Sequence, residues 1–318
     1  MRALALYSGG LDSSLAIKIM MSHGIEVIPI AFVTPFFSPD TEYGKRILGV
    51  SIASVDITEE YIDVLLSPPH GYGRNMNPCI DCHALMIRKA KELLEEYDAK
   101  FIITGEVLGE RPMSQNKWSL REVEKSAGAE GLVVRPLSGA LLPPTIPEEM
   151  GWIKREWLYD ISGRKRNRQM ELARIFGIEE YKTPAGGCLL TDIQFSKRLK
   201  FLIGIKGRPS REEFELLKVG RHFYVDGSWF LVGRNERENK VLRNSKIWKY
   251  MFFTIDYPGP TGIIVEGDLI ETAIRALVRY SDAPKDVAVR VRILKDSGES
   301  YITESTSLDE EELEKIRI

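Results

Sequence analysis

The sequence predicts an α/β protein, a parallel sheet covered by helices on both faces, followed by a smaller α+β domain. Three observations predict it. A short apolar strand at the start runs through a Ser-Gly-Gly turn into an amphipathic helix. Further uninterrupted apolar strands alternate with helical patterns up to about residue 135, as in a sheet buried on both sides. From residue 221 the pattern changes to short strands joined by a tight turn. A chain of 318 residues also exceeds what one core usually organises, so two domains are expected.

Taken in order, residues 3–7 form the first apolar run, and Ser8, Gly9 and Gly10 turn the backbone. Leu15, Ile19 and Met20 recur at helical spacing, with Gly24 as a natural stop. Such a unit gathers free N–H groups at a helix N-terminus, where a phosphate is stabilised. A Walker-type loop carries a lysine before its Ser/Thr. Here Asp12 occupies that region, followed by Ser13 and Ser14, so the loop is expected to hold pyrophosphate rather than present a γ-phosphate for transfer. Residues 27–32, 52–55, 101–104 and 132–134 supply four more strands, and 59–66, 83–97 and 119–127 read as helices.

Bulk properties exclude several classes. Apolar content of 43% and charged content of 28% are those of an ordinary globular protein. No stretch is apolar for long enough to span a bilayer, so no membrane partner is expected. The first residues read as a strand rather than a cleavable leader. Three cysteines do not make a disulfide framework, which points to the cytoplasm. The net charge of −2 hides an asymmetry, because residues 151–250 hold 22 Lys+Arg against 12 Asp+Glu, a balance of +10. A basic middle on an acidic protein suggests a polyanion such as RNA, with scattered solvated lysines as the alternative.

The run SGGLDSS, residues 8–14, resembles the PP-loop signature of the ATP pyrophosphatases, an adenylylating superfamily with a Rossmann-like fold. The resemblance implies cleavage of ATP between its α- and β-phosphates. Ser8, Gly9, Gly10, Asp12, Ser13 and Ser14 would then contact the nucleotide, and Asp12 is a candidate for the Mg2+ shell. By analogy with such sheets the adenine lies near the end of the second strand, around residues 31–33 with Phe32 among them.

All three cysteines fall near sharp turns. Cys79 and Cys82 stand in NPCIDCH before a helix, and Cys188 in PAGGCLLTD. Thiolates at a helix N-terminus are suited to metal binding or nucleophilic attack. Four arrangements are open: buried inert thiols, a structural zinc completed by His83 or an acid, a persulfide with a resolving partner, and a three-thiolate iron–sulfur cluster. The last is the leading reading.

Together with SGGLDSS, the runs NPCIDC and PAGGCLLTD look like the tRNA thiouridine synthases, and a CxxC plus one distant Cys is similar to their cluster-dependent members. TGEVLGERPMSQ, residues 104–115, resembles a second nucleotide-contacting loop, with Thr104, Gly105 and Gln115 as candidate contacts. RPL, residues 135–137, resembles the next strand end. The resemblance implies ATP-dependent uridine thiolation in tRNA. A uracil carbonyl is adenylylated and sulfur then displaces AMP. ATP, Mg2+ and a [4Fe-4S] cluster on Cys79, Cys82 and Cys188 would be the cofactors. A sulfur donor protein or sulfide is a further partner, while thiolation at C4 or C2 and the oligomeric state stay open, C4 being favoured. The 4-thiouridine synthases usually carry RNA-binding modules ahead of the PP-loop, whereas here the loop comes at residue 8 and an RNA module is expected after it.

That module is read from residues 210–295. Strands at 222–225 and 229–232 flank Asp226-Gly227, a hairpin signal. VGRNERENK, residues 232–240, then Trp248 and DYPG, residues 256–259, resemble the RNA-binding domain of the NFACT proteins. Arg234 and Arg237, with Lys240, Arg243 and Lys246, are expected on one helical sector suited to phosphate contact. Arg164, Lys165, Arg166 and Arg168 open an earlier helix, where positive charge opposes the helix dipole and is better explained by an RNA backbone. The expected organisation is a PP-loop domain over 1–192, a basic helical linker over 193–209, the RNA-binding domain over 210–295 and an acidic tail over 296–318. Two other functions fit parts of the chain: an amide-forming PP-loop ligase, and a non-catalytic RNA-binding factor in translation.

Overall fold

A computed structural model of the chain describes residues 1–181 and 188–318. It divides into two compact units, Met1–Thr191 and Asp192–Ile318.

The first unit is built on a five-stranded parallel sheet in the order β3-β2-β1-β4-β5. The strands are β1 (Arg2–Leu6), β2 (Glu26–Val33), β3 (Ala53–Asp56), β4 (Phe101–Ile103) and β5 (Val133–Val134). β1 lies at the centre, with Ala3 opposite Val27 on one side and Phe101 on the other. The chain therefore runs outward one way through β2 and β3, then the other way through β4 and β5. Beyond the C-terminal end of β1 is the switch point, where a ligand crevice forms in such sheets. The helices are α1 (Leu11–Ser22), α2 (Thr41–Leu48), α3 (Thr58–Leu66), α4 (Cys79–Glu92), α5 (Lys117–Ala127), α6 (Ile146–Glu149) and α7 (Asn167–Ile175). α1 is buried along most of its length, from Leu15 through Met20, because it packs on the central strand.

Two local features differ from the sequence expectation. α2 is an additional helix. Asp40 caps it, accepting a hydrogen bond from the Tyr43 N–H at 2.9 Å, and Gly49 ends it at φ 76°. The cysteine helix starts earlier than residue 83 and stops before residue 97. α4 opens at Cys79, so both cysteines lie in its first turn. After Glu92 the chain passes through turns to Asp98, which sits at φ 48° and cannot continue a helix.

The second unit carries a six-stranded antiparallel sheet in the order β11-β10-β8-β9-β7-β6. After helices α8 (Ile193–Lys206) and α9 (Arg211–Leu216), β6 (Arg221–Val225) and β7 (Ser228–Val232) form the expected hairpin. Its two turn residues, Asp226 and Gly227, have φ 44° and 78°, the backbone a two-residue hairpin requires. α10 (Glu236–Asn244), β8 (Tyr250–Thr254), β9 (Thr261–Glu266), α11 (Ile270–Arg279), β10 (Val289–Lys295), β11 (Ser300–Ser305) and α12 (Glu310–Ile316) follow. The core lies between the sheet and α11 and includes Phe223, Phe230, Phe252 and Leu277.

Residues 193–209 and 296–318 differ from a linker and a tail. α8 is capped by Asp192 and buries Phe195, Leu199 and Leu202. β11 pairs with β10 along its whole length, from Leu294↔Ser300 to Val289↔Ser305. α12 buries Leu313 in the core and is capped by Asp309. Arg317 bridges to Phe223, and the Ile318 N–H donates to the His222 carbonyl at 3.0 Å, so the end of the chain lies along β6. Composition concealed this because acidic residues alternate with the few that are buried.

His222 on β6 is 2% exposed. Its Nε2–H donates to the Val219 carbonyl at 2.9 Å, and its Nδ1 accepts from Trp229 Nε1 at 3.3 Å, which suits a neutral ring. Burial, with Arg198 and Arg234 nearby, pulls its pKa from 6.5 down to about 3. The unfolded chain binds a proton below pH 6.5 that the fold rejects. Stability of this unit is therefore expected to be full above pH 6.5 and to fall progressively toward pH 3. Urea midpoints measured across that window should flatten in His222→Asn.

Candidate functional site

Beyond β1, Gly9 adopts φ 75° and Gly10 caps α1 in extended conformation, so the chain turns sharply and α1 begins at Leu11. Within the loop the Ser8 N–H donates to Ser13 Oγ at 3.2 Å. Ser13 Oγ and Ser14 Oγ each donate to the Gly10 carbonyl at 3.0 Å. The hydroxyls of Ser8 and Ser13 are 3.1 Å apart. These serines thus hold the shape of the loop at the helix start, where free N–H groups stabilise an anion.

Thr104 and Gly105 follow β4 and lie against this loop. A Cβ on Gly105 would stand 2.4 Å from the Ser13 nitrogen and 2.6 Å from the Asp12 carbonyl carbon. Only glycine allows the two backbones to approach so closely. Gly105→Ala must displace one of them. It is expected to weaken ATP binding by about 10–100-fold, since roughly 1–3 kcal/mol of overpacking falls on the phosphate loop. Nucleotide titration calorimetry would measure it. Gln115 is buried and closes the same segment, its Oε1 accepting from the Arg111 N–H at 3.1 Å. Phe32 is buried at the end of β2, paired with Val55.

Asp12 projects from the first turn of α1. Arg166 Nη2 donates to its Oδ2 at 3.0 Å, while its Oδ1 is buried without a hydrogen-bond partner. Burial pushes the Asp12 pKa up, against the pull of Arg166 and Arg111. Burial and Asp12 together push Glu110 up as well. The orphaned Asp12 oxygen is a lone pair that a magnesium–nucleotide complex would satisfy, so the residues fit Mg2+ here.

A buried network links this loop to the cysteine helix. Glu106 accepts from Thr104 Oγ1 at 3.0 Å and from Arg135 Nε at 2.9 Å, and it meets His83 Nδ1 at 2.8 Å. Arg135 also pairs with Glu124. Burial would push Glu106 up, but Arg135 and His83 outweigh it and hold the carboxyl at about 2. His83, a candidate zinc ligand by sequence, thus has its Nδ1 on Glu106.

The three cysteines are free thiols. Cys79 Sγ accepts from Asn77 Nδ2 at 3.2 Å. Burial, then Cys188 and Cys79, push the Cys82 pKa well up, while the nearby Tyr61 hydroxyl pulls it down. Burial and Cys79 raise Cys188, opposed by the N–H groups of Leu190 and Thr191 and by Arg111. The thiols of two remote segments therefore lie within electrostatic reach of one another. Arg111 acts on both Cys188 and Asp12. Residues 184–187 of the PAGGC motif lie outside the described residues. Among the described residues no three His, Cys, Asp or Glu side chains already stand as a metal-holding group. The donor set fits an iron–sulfur cluster in kind, three soft free thiols with an amide N–H on one of them.

The basic residues separate. Arg164, Lys165 and Arg168 are exposed ahead of and within the first turn of α7, where Arg168 pairs with Glu171 at 2.6 Å. Arg166 turns inward to Asp12 instead of facing outward with its neighbours. In the second unit Arg237 is exposed, whereas Arg234 pairs with Glu238. Arg243 contacts Glu236 and Thr261, and Lys246 lies past the end of α10 rather than on its face. Trp229 is core, at 1% exposure. Tyr61 and Asn77 were not singled out by sequence. Tyr61 occupies an ordinary apolar helix position, and Asn77 reads as a turn former. Arg111 stands inside TGEVLGERPMSQ, and that motif was its only signal.

The parallel sheet, the serine–glycine loop at its switch point and the glycine that presses on it define a PP-loop nucleotide-binding domain, and a separate antiparallel-sheet domain follows it. Residues 1–141 match the family model described as "Thiamine biosynthesis protein (ThiI)", and residues 220–317 match "NFACT protein RNA binding domain". Residues 1–141 are therefore similar to a ThiI-type PP-loop domain and residues 220–317 to an NFACT-type RNA-binding domain. A probable tRNA sulfurtransferase of Thermococcus kodakarensis is 26% identical over 115 residues, covering 34% of this chain and 30% of that relative. The chain thus spans under a third of the length of that curated relative. Among solved structures, a 4-thiouridine synthetase–RNA complex with bound ATP aligns at 18% identity and TM-score 0.35, covering 56% of this chain and 51% of the other. A predicted tRNA methyltransferase subunit from Methanocaldococcus jannaschii aligns at 20% identity and TM-score 0.32, covering 43% and 68%. Among the described residues no helix is long and apolar enough to cross a membrane.

Proposed function

We propose that this chain catalyses ATP-dependent thiolation of uridine in tRNA. The single observation that carries the reading is the contact between the two cysteine segments, where Asn77 Nδ2 donates to Cys79 Sγ at 3.2 Å and Asn75 Nδ2 donates to the Thr191 carbonyl at 2.7 Å in the turn that follows Cys188. An adenylylating site needs a sulfur source beside it, since sulfur must reach a carbon already held at the nucleotide.

ATP binds with its β- and γ-phosphates on the N–H groups of the loop and the hydroxyls of Ser8, Ser13 and Ser14. Asp12 would hold Mg2+, which neutralises the leaving pyrophosphate. Arg111 and Arg166 add positive charge on the same side. A uracil carbonyl oxygen attacks the α-phosphorus, the bond to the β-phosphate oxygen breaks, and pyrophosphate leaves. The carbon now bears AMP as a leaving group. Hydrosulfide sulfur attacks that carbon, AMP departs with the former carbonyl oxygen, and the sulfur proton is lost to solvent. Cys79, Cys82 and Cys188 would hold a [4Fe-4S] cluster, which when bound supplies an iron able to carry hydrosulfide. The target base leaves its stack to reach the site, and the exposed Arg164, Lys165, Arg168 and Arg237 meet the RNA backbone.

The test is anaerobic purification with iron and sulfide assay, then nucleoside analysis of tRNA incubated with protein, ATP, Mg2+ and sulfide. The expected result is thiouridine in step with AMP and pyrophosphate. ATP consumption with ammonia but not sulfide would replace the reading by an amide-forming one, and RNA binding without ATP turnover would replace it by a binding factor.

A further inference from the structure

The CxxC loop and the turn bearing Cys188 are more than a hundred residues apart, yet one chain of hydrogen bonds joins them. Asn77 Nδ2 donates to Cys79 Sγ at 3.2 Å. The other end of the same amide, Asn77 Oδ1, accepts from the Asn75 N–H at 3.1 Å. Asn75 Nδ2 crosses to the other segment and donates to the Thr191 carbonyl at 2.7 Å. Thr191 in turn donates to the Cys188 carbonyl through its N–H at 3.0 Å and through its Oγ1 at 2.7 Å. Asn77 is itself fixed, for its carbonyl accepts from the Gly73 N–H at 2.9 Å, and a Cβ on Gly73 would stand 2.4 Å from Asn77 Nδ2.

We infer that Asn75 and Asn77 are positioning residues, a clamp that holds the Cys188 turn against the CxxC loop so that three thiols form one site. The inference rests on the reading of the cysteines as a single sulfur-handling site. A primary amide suits both positions because it carries a donor and an acceptor in one plane. Asn77 spends the donor on sulfur and the acceptor on backbone, and Asn75 uses backbone N–H and side-chain donor in opposite directions. Aspartate in either position keeps the shape and loses the donor. The two changes therefore cut the chain of bonds at different links. Asn75→Asp releases Thr191, whereas Asn77→Asp releases Cys79 and leaves the Asn75 N–H its acceptor.

The test is bridging of thiols by dibromobimane in the full-length, metal-stripped protein under anaerobic conditions, with the bridged peptides identified by mass spectrometry. The Cys79–Cys82 bridge lies within one helical turn and is the internal control. Asn75→Ala and Asn75→Asp are expected to lower the Cys79–Cys188 bridge about fivefold relative to that control, the loss of one hydrogen bond of about 1 kcal/mol. Iron bound on anaerobic reconstitution should fall in parallel, while the thermal midpoint and ATP binding stay those of wild type. Asn75→Gln is expected to restore part of the bridge. An unchanged bridge ratio in Asn75→Ala, with wild type bridging and thiolating normally, would overturn the clamp and leave the proposed function standing. No Cys79–Cys188 bridge in wild type, with thiolation surviving Cys188→Ser, would overturn the single sulfur site and the clamp with it.

Discussion

Cys188→Ser is expected to lower uridine thiolation by about 10³-fold or more, as removal of a group that acts directly in a reaction does, while ATP-dependent pyrophosphate release continues. The split follows from geometry. Asp12, Ser13 and Gly105 are held by loop contacts that do not involve sulfur, so the adenylylating half stays assembled. Cys188 lies in a turn held through its carbonyl by Thr191, and serine leaves that backbone bonding intact. Serine is also close to isosteric, so a fall in thiolation reports chemistry rather than folding. Pyrophosphate release and thiouridine are read from the same reaction by phosphate assay and nucleoside mass spectrometry. Loss of both together would show that the thiols serve the fold of the loop rather than sulfur transfer.

Arg135→Ala carries the largest expected loss of stability, about 3–5 kcal/mol, because it leaves two carboxylates without their buried partner. Arg135 is 4% exposed and bonds Glu106 and Glu124. In the wild type Glu106 ionises at about 2 in the fold against 4.5 unfolded, so its contribution is full above pH 4.5 and is lost as pH falls toward 2. Without Arg135, burial pushes the carboxyl up instead, so mild acid should narrow the gap between variant and wild type. Chemical denaturation from pH 7 to pH 4 would follow it. Arg135→Lys keeps the charge but not the two-sided fork and should fall between them.

Much of the first unit was legible because its signals are local. Unbroken apolar strands, a Ser-Gly-Gly turn and the SGGLDSS run each declare themselves within ten residues. α2 was not legible, since only Gly44 and Leu48 are buried along it and its polar face resembles a loop. In the second unit the hairpin was plain from Asp226-Gly227, but β11 and α12 were hidden by acidic composition, since pairing with β10 is settled across the sheet and not along the sequence. The cysteines were found as residues, whereas the joining of their two segments depends on a bond from Asn75 to Thr191, more than a hundred positions away. Asn75 and Asn77 carry that information and look unremarkable in a row of letters. Arg166 shows the converse case. Its place in a basic run suggested RNA, and a single inward rotamer gives it to Asp12.

The placement of residues 300–318 bears on solubility. One margin of the antiparallel sheet is β11, and the other, β6, is partly covered by Arg317 and Ile318. Strand margins left bare recruit other chains through their free amide groups. Beside β11, the β10 residues Val289, Val291 and Ile293 form a buried apolar row in the core cluster. Charge marks this margin, with Glu304 on β11 opposite Arg290 and Glu299 paired with Lys295 just before the strand, and a charged edge strand discourages pairing with another copy. A domain rich in arginine thereby keeps its sheet finite by ending it on a charged strand.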